Sequence, residues 1–141
     1  MKKLLIVTHG SLAKELVDTT GLITGKMKGV DYLGLYESDN SAEFLKDIQE
    51  AIQKLDDDDE GVIIMNDLFG GTPSNLSIFA SEKENSWAIA GVNIPMILEF
   101  ITLRDENYTL EELAEKCVNA GKEYTINSTK MKREKEWEWQ T

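Results

Sequence analysis

The sequence predicts an α/β protein built on a doubly wound, parallel β-sheet. Its apolar runs are short and lack polar alternation, which is typical of strands buried on both faces. Each run is followed by a segment whose apolar residues recur at helical spacing. The length of 141 residues fits one domain. The predicted strands cover residues 4–7, 30–36, 61–65 and 87–90.

Local signals mark the ends of the helices between these strands. Polar residues that precede helical patterns are typical N-caps, and glycines that follow such patterns are typical stops. Thr109 and Glu112 also have the spacing of a capping box. Four strands with short helical connections predict a small flavodoxin-like fold. The predicted caps are Asn40, Thr72 and Thr109, and the predicted stops are Gly21, Gly25 and Gly121.

Charge and composition exclude several classes of function. The net charge of −11 argues against nucleic acid and anionic membranes as partners and favours a basic protein partner. No apolar run is long enough to span a bilayer, and the N-terminal run stops at Thr8 without a cleavage site. We therefore expect a cytoplasmic protein without membrane insertion.

The sequence also argues against a disulfide, a zinc site and a calcium loop. One cysteine and one histidine cannot form an internal disulfide or a Cys/His zinc site. The acidic run at residues 56–60 lacks the spacing of a calcium loop, so it is predicted to be a solvated turn. We expect no metal and no cofactor, and we expect Cys117 to be a core residue because free cysteines are commonly buried.

His9 is the candidate nucleophile. It is the only histidine and directly follows the first predicted strand, so it is expected at the carboxyl edge of the sheet, where doubly wound proteins bind ligands. Asp67 follows the third predicted strand and is expected at the same edge. A carboxylate on one imidazole nitrogen fixes the tautomer and leaves the other nitrogen nucleophilic. Taken alone, each residue also has an ordinary structural interpretation.

The segment after Asp67 is the candidate phosphate site. Gly71 exposes backbone amide groups, and Thr72 and Ser74 add hydroxyl donors at the predicted start of a helix. Helix N-termini bind anions through free amides and the helix dipole. No Gly-Lys-Ser/Thr follows, so the loop is not a nucleotide-binding P-loop. Gly91 to Pro95 form a third polar segment that is expected near the same edge.

Three motifs in this order resemble enzyme IIA of the mannose/fructose/sorbose family of the bacterial phosphotransferase system. They are Thr-His-Gly at 8–10, Asp-Leu-Phe-Gly-Gly-Thr-Pro-Ser-Asn at 67–75 and Gly-Val-Asn-Ile-Pro-Met at 91–96. The resemblance covers about residues 1–125. It predicts a IIA domain over residues 1–128, followed by a charged, mobile tail over residues 129–141.

The resemblance implies a phosphohistidine carrier for sugar uptake. His9 would accept phosphate from phospho-HPr and pass it to a separate IIB subunit, with IIC and IID membrane subunits downstream. Asp67 would orient His9, and Thr72 matches a hydroxyl position at the phosphate site. The family fold implies a homodimer with a C-terminal antiparallel edge strand, matched by residues 124–126, exchanged between subunits. Neither the sugar nor the phosphorylated nitrogen of His9 can be deduced from the sequence.

Four other functions compete with this interpretation. A phosphocarrier subunit of a dihydroxyacetone kinase system has similar chemistry, but the motif at 67–75 favours enzyme IIA. A histidine phosphatase would have arginine in place of Thr8 and a second histidine. A serine hydrolase using Ser74 or Ser11 would need a Gly-x-Ser-x-Gly elbow, which the sequence lacks. A flavin-binding module would need more hydroxyl residues after the first strand.

Overall fold

A parallel sheet forms the centre of the protein, as seen in a computed structural model that describes residues 1–135. In this part of the chain the sheet has four strands, β1 (Lys3–His9), β2 (Val30–Leu35), β3 (Val62–Asn66) and β4 (Ser86–Ala90). Their order in the sheet is β2-β1-β3-β4, and every neighbouring pair is parallel. The predicted doubly wound parallel sheet is thereby confirmed.

Helices cover both faces of this sheet. They are α1 (Leu12–Thr24), α2 (Ser41–Leu55), α3 (Thr72–Ser81), α4 (Ile94–Leu103), α5 (Leu110–Glu123) and α6 (Ser128–Glu134). Successive side chains along a strand point to opposite faces of the sheet. Leu4 and Ile6 therefore pack with α1, α4 and α5, whereas Leu5 and Val7 pack with α2 and α3. Within residues 1–135, none of the helices has the length and apolar character needed to cross a bilayer.

The local caps largely agree with the sequence. The Asn40 side chain accepts hydrogen bonds from the amides of Ala42 and Glu43, which begins α2. Thr109 and Glu112 form the predicted capping box at the start of α5. Cys117 of α5 is fully buried in the core, as predicted. The caps depend on hydrogen bonds between residues close in sequence, and the burial of Cys117 follows from helical periodicity. Sequence spacing is therefore enough to predict both.

Three predicted helix ends are wrong. Helix α1 continues through Gly21 and ends before Gly25, because one glycine weakens a helix without breaking it. Gly121 likewise lies inside α5. A Cβ atom on Gly121 would lie 3.1 Å from Met96 Cε, so this glycine permits close contact with α4 rather than termination. Thr72 is the first residue of α3, since Gly71 occupies the cap position and no side chain caps this helix.

The C-terminal segment contains one helix that the sequence did not predict. Residues 124–126 follow α5 without forming a strand in this chain, and Tyr124 and Ile126 are exposed. The edge strand concerns pairing with a second copy of the chain, so it stays a prediction. Helix α6 occupies part of the predicted tail and buries no side chain. Trp137 and Trp139 lie outside the described residues.

Candidate active site

His9 and Asp67 meet at the carboxyl edge of the sheet. His9 is the last residue of β1, and Asp67 directly follows β3, the strand paired with β1. The carboxyl ends of parallel strands share one edge, so this pairing brings two residues 58 positions apart in sequence into contact. His9 Nδ1 lies 2.8 Å from Asp67 Oδ2.

The Asp67 carboxylate is held by two further hydrogen bonds. The backbone amide of His9 donates to Oδ2 at 3.1 Å, and the backbone amide of Leu68 donates to Oδ1 at 3.1 Å. Both carboxylate oxygens therefore have fixed partners, and the carboxylate can orient the imidazole ring. Burial opposes ionisation of Asp67, but the hydrogen bonds from His9 outweigh it and hold the pKa of this carboxyl below its usual value.

This contact determines which nitrogen of His9 is free. A carboxylate accepts a hydrogen bond, so Nδ1 carries the proton, and a neutral imidazole then has its lone pair on Nε2. The His9 side chain is 52% exposed, whereas that of Asp67 is 16% exposed. The ring can therefore be reached from solvent while its orienting carboxylate stays shielded.

The loop after Asp67 lies against the free edge of the ring. A Cβ atom on Gly71 would lie 3.0 Å from His9 Cε1 and 3.6 Å from Nε2. Helix α3 begins at the next residue. No acceptor in the described part of the chain takes a hydrogen bond from the backbone amides of Thr72 and Ser74. Free amides at a helix N-terminus can bind an anion, and these two lie directly beyond the glycine that contacts His9.

The predicted phosphate-site residues differ in access. Thr72 is exposed and shares a cleft of about 520 Å³ with His9. Ser74 is buried and, within the described structure, does not line that cleft. The structure thus brings together His9, Asp67, Gly71 and Thr72, with Ser74 buried in the same first turn of α3.

One wall of the cleft was not predicted from the sequence. It comes from the segment after β2, which contributes Tyr36, Glu37 and Asp39. Strand β2 pairs directly with β1, whereas β4 is two strands away. The Gly91–Pro95 segment after β4 therefore serves packing instead: the Asn93 side chain caps α4 and donates to the Gly121 carbonyl at 3.1 Å. Sequence patterns do not give the strand order, and without it the residues of this wall could not be predicted.

Two large apolar side chains flank the site on the solvent side. Leu68 is 62% exposed and Phe69 is 77% exposed, and both belong to the loop between Asp67 and Gly71. Exposed apolar groups beside a reactive group are typical of surfaces that bind other proteins.

Comparison with known families finds a match over most of this chain. The family model described as the PTS system fructose IIA component matches residues 3–118, which includes the two strand ends, the loop and most of α5. The chain belongs to this family. In this IIA domain the His9–Asp67 pair and the Gly71 loop fall within the matched region.

Relatives of this IIA domain come from several bacteria. It is 32% identical over 121 residues to the mannose-specific EIIAB component of Escherichia coli, a match that covers 85% of this chain and 37% of that protein. It is 28% identical to the fructose-specific EIIA component of Bacillus subtilis, over 80% of this chain and 77% of that protein. The chain thus spans little more than a third of the Escherichia coli relative.

A solved structure extends the likeness to the fold. The PTS IIA protein associated with the fucose utilization operon of Streptococcus pneumoniae superposes with a TM-score of 0.80 and 27% identity. The superposition covers 92% of this chain and 95% of that one. The named sugars differ among these relatives.

Proposed function

We propose that this IIA domain is a phosphoryl carrier of a sugar phosphotransferase system, with His9 as the residue that is phosphorylated. The observation that carries the proposal is the contact of Asp67 with Nδ1, which leaves Nε2 as the nucleophile beside Gly71. Phospho-HPr is the proposed donor, and a IIB domain or subunit is the proposed acceptor. Asp67 is the proposed orienting residue.

In the proposed transfer, the Nε2 lone pair attacks the phosphorus of the donor's phosphohistidine. The new Nε2–P bond forms as the donor's N–P bond breaks, and the electron pair of that bond returns to the donor imidazole. Nδ1 keeps its proton, so the phosphorylated ring gains positive charge. The Asp67 carboxylate stabilises that charge through its hydrogen bond.

The phosphoryl oxygens would be bound by the start of α3. Phosphoryl transfer depends on positioning and on stabilising charge that spreads over these oxygens. The Thr72 and Ser74 amides and the Thr72 hydroxyl are the proposed donors, and the dipole of α3 adds favourable electrostatics. Transfer to IIB repeats the same displacement in reverse, with a nucleophile of IIB attacking phosphorus and His9 leaving.

Labelling with phosphoenolpyruvate, enzyme I and HPr tests the proposal. We expect acid-labile label on the wild-type chain and none on His9→Ala, because the chain has no second imidazole. The label should then move to IIB. Phosphoramidate, which phosphorylates histidine without a protein partner, separates loss of the nucleophile from loss of docking. Label that persists on His9→Ala would overturn the assignment.

A IIB transfer assay also separates the nearest alternative. A phosphocarrier subunit of a dihydroxyacetone kinase system would pass its label to a kinase subunit rather than to IIB. We expect labelled protein to transfer to IIB and to leave the purified kinase subunit unlabelled. The opposite pattern would favour the alternative.

A further inference from the structure

Asn66 is a buried polar residue at the end of an otherwise apolar strand. The other residues of β3, Val62 to Met65, are buried and apolar, and their role in the core needs no further explanation. Asn66 is 1% exposed, and its Oδ1 atom has no hydrogen-bond partner in the described part of the chain. Leaving a buried acceptor unpaired costs free energy. Core packing alone therefore does not account for an asparagine here.

The Asn66 amide nitrogen connects two elements that build the site. Nδ2 donates to the Val7 carbonyl on β1 at 3.0 Å and to Ser77 Oγ on α3 at 2.8 Å. The Pro73 carbonyl, in the first turn of α3, lies 3.4 Å from the same nitrogen. Because carbonyl oxygens only accept hydrogen bonds, these contacts fix the orientation of the amide.

The partners of Asn66 lie next to the reactive groups. Val7 is two residues before His9 on β1, and Pro73 lies between the two free amides at the start of α3. In the chain itself, Asn66 directly precedes Asp67. One side chain thus links the strand that ends in His9 to the helix that faces the His9 ring. The backbone carbonyl of Asn66 also accepts from the Val92 amide at 2.9 Å.

We propose that Asn66 is a positioning residue that holds the end of β1 and the N-terminus of α3 at the separation that phosphoryl transfer requires. Asn66 does not touch the reacting atoms and acts through Val7, Pro73 and Ser77. The inference rests on the proposed carrier function. Misplacement of reacting groups by about 1 Å can cost about 10²-fold in rate.

Asn66→Asp tests this role because it keeps the shape and replaces the amide nitrogen that donates to Val7 and Ser77 by a carboxyl oxygen. Asn93→Asp is the matched control: Asn93 also donates through Nδ2 to a backbone carbonyl, that of Gly121, but this bond joins the start of α4 to α5 and involves neither β1 nor α3. The rate of His9 phosphorylation is measured for both variants with phospho-HPr and with phosphoramidate. Thermal unfolding curves identify an assay temperature at which both variants are folded. Asn66→Leu replaces the aspartate variant if that variant is incompletely folded.

A second measurement reports on the His9 ring in the absence of any phosphoryl donor. The ¹⁵N chemical shifts of the His9 ring give the proportion of the tautomer with its proton on Nδ1. We expect Asn66→Asp to slow phosphorylation by both donors about 10- to 100-fold and to lower that proportion. Asn93→Asp should match the wild-type rate and ring shifts, even if its melting temperature falls as much as that of Asn66→Asp.

These results are separable from the carrier function itself. If phospho-HPr fails to label the wild type, the carrier proposal fails, while phosphoramidate and the ring shifts still test Asn66. Wild-type rates and ring shifts in folded Asn66→Asp would overturn the positioning role. An equal slowing in Asn93→Asp at matched stability would overturn it as well, because the effect would then follow stability rather than position.

Discussion

The carbonyl oxygen of Gly10 packs directly on Gly34. A Cβ atom on Gly34 would lie 2.1 Å from that oxygen, far inside van der Waals contact. The Gly10 amide is also tied to β2, because it donates to the Leu35 carbonyl at 2.7 Å. Gly34 therefore sets the position of the residue that follows His9.

We expect Gly34→Ala to displace Gly10 and, through it, His9. The backbone oxygen must move to admit a methyl group, so phosphorylation of His9 should slow by about tenfold or more. Gly21→Ala is the control. Gly21 lies inside α1, and a Cβ atom added there would meet no other atom within 4 Å, so alanine should stabilise the fold by about 0.4–1 kcal/mol and leave the rate unchanged. An unchanged rate in a folded Gly34→Ala would show that this contact does not position His9.

Gly71→Ala should block the phosphate site. The added methyl would lie 3.6 Å from His9 Nε2, in space that a phosphoryl group on this nitrogen needs. We expect about 10²-fold slower phosphorylation with either phospho-HPr or phosphoramidate, on the scale of losing one preorganised group. Thr72→Ser, which keeps the hydroxyl and the amide, should remain active. Full activity of Gly71→Ala would place the phosphate elsewhere.

Asp67→Asn should slow transfer while the fold is kept, because the orienting charge is lost and the size is conserved. The lowered pKa of Asp67 also predicts a pH effect on stability. The stabilisation from the ionised carboxylate is fully present above the ordinary aspartate pKa of about 3.9 and is lost as pH falls through the lower folded value.

Denaturant unfolding of wild type and Asp67→Asn checks this linkage. The wild type should be the more stable protein at pH 7, and the difference should shrink as the pH falls below about 4. A stability difference that stays constant from pH 7 to strongly acidic solution would contradict the lowered pKa. Unchanged transfer rates would show that Asp67 is not the orienting residue.

Phe69→Ala should weaken docking without affecting the chemistry of His9. Phe69 is mostly exposed beside the site, so its removal should reduce the rate with phospho-HPr and leave the rate with phosphoramidate near that of the wild type. Leu22→Ala is the control, since Leu22 is exposed on α1 rather than on the loop beside His9. A similar loss with phosphoramidate would mean that Phe69 supports the catalytic geometry instead.

Cys117 should be inert until the protein unfolds. Its side chain is fully buried, and burial raises the pKa of the thiol to about 12, so the reactive thiolate is scarce at neutral pH. We expect iodoacetamide to label Cys117 only in denaturant, with a midpoint that matches unfolding followed by circular dichroism. Rapid labelling of the folded protein would indicate local opening of α5.

Some of these features follow from local rules that a single sequence displays. Continuous apolar runs gave the strands, because a strand buried on both faces has no polar alternation. Asn40 and Thr109 were predicted caps because a side-chain oxygen reaches amides only two or three residues away. His9 and Asp67 were candidates because each lies within two residues of the end of a predicted strand.

Helix ends at glycines were harder to predict, because tertiary contacts decide them. Gly121 resembles a stop signal, yet it lies in α5 where the missing Cβ atom admits Met96 and Asn93. Gly21 lies within α1, because the residues on either side of it keep the helix intact. The sequence shows the glycine in both places but not the neighbour that determines its role.

The sequence by itself determined the four strands, the helices α1 to α5, the caps Asn40 and Thr109, and the chemical nature of His9, Asp67 and the Gly71 loop, since these depend on neighbours along the chain. The tertiary structure decided the strand order β2-β1-β3-β4. This order places Tyr36 and Asp39 in the same cleft as His9. Asn93 instead donates a hydrogen bond to Gly121 in α5. It also decided that Asp67 binds Nδ1, and that Asn66 and Gly34 hold the surrounding backbone. Pairing between strands depends on contacts across the whole chain, and no local pattern specifies which edges meet.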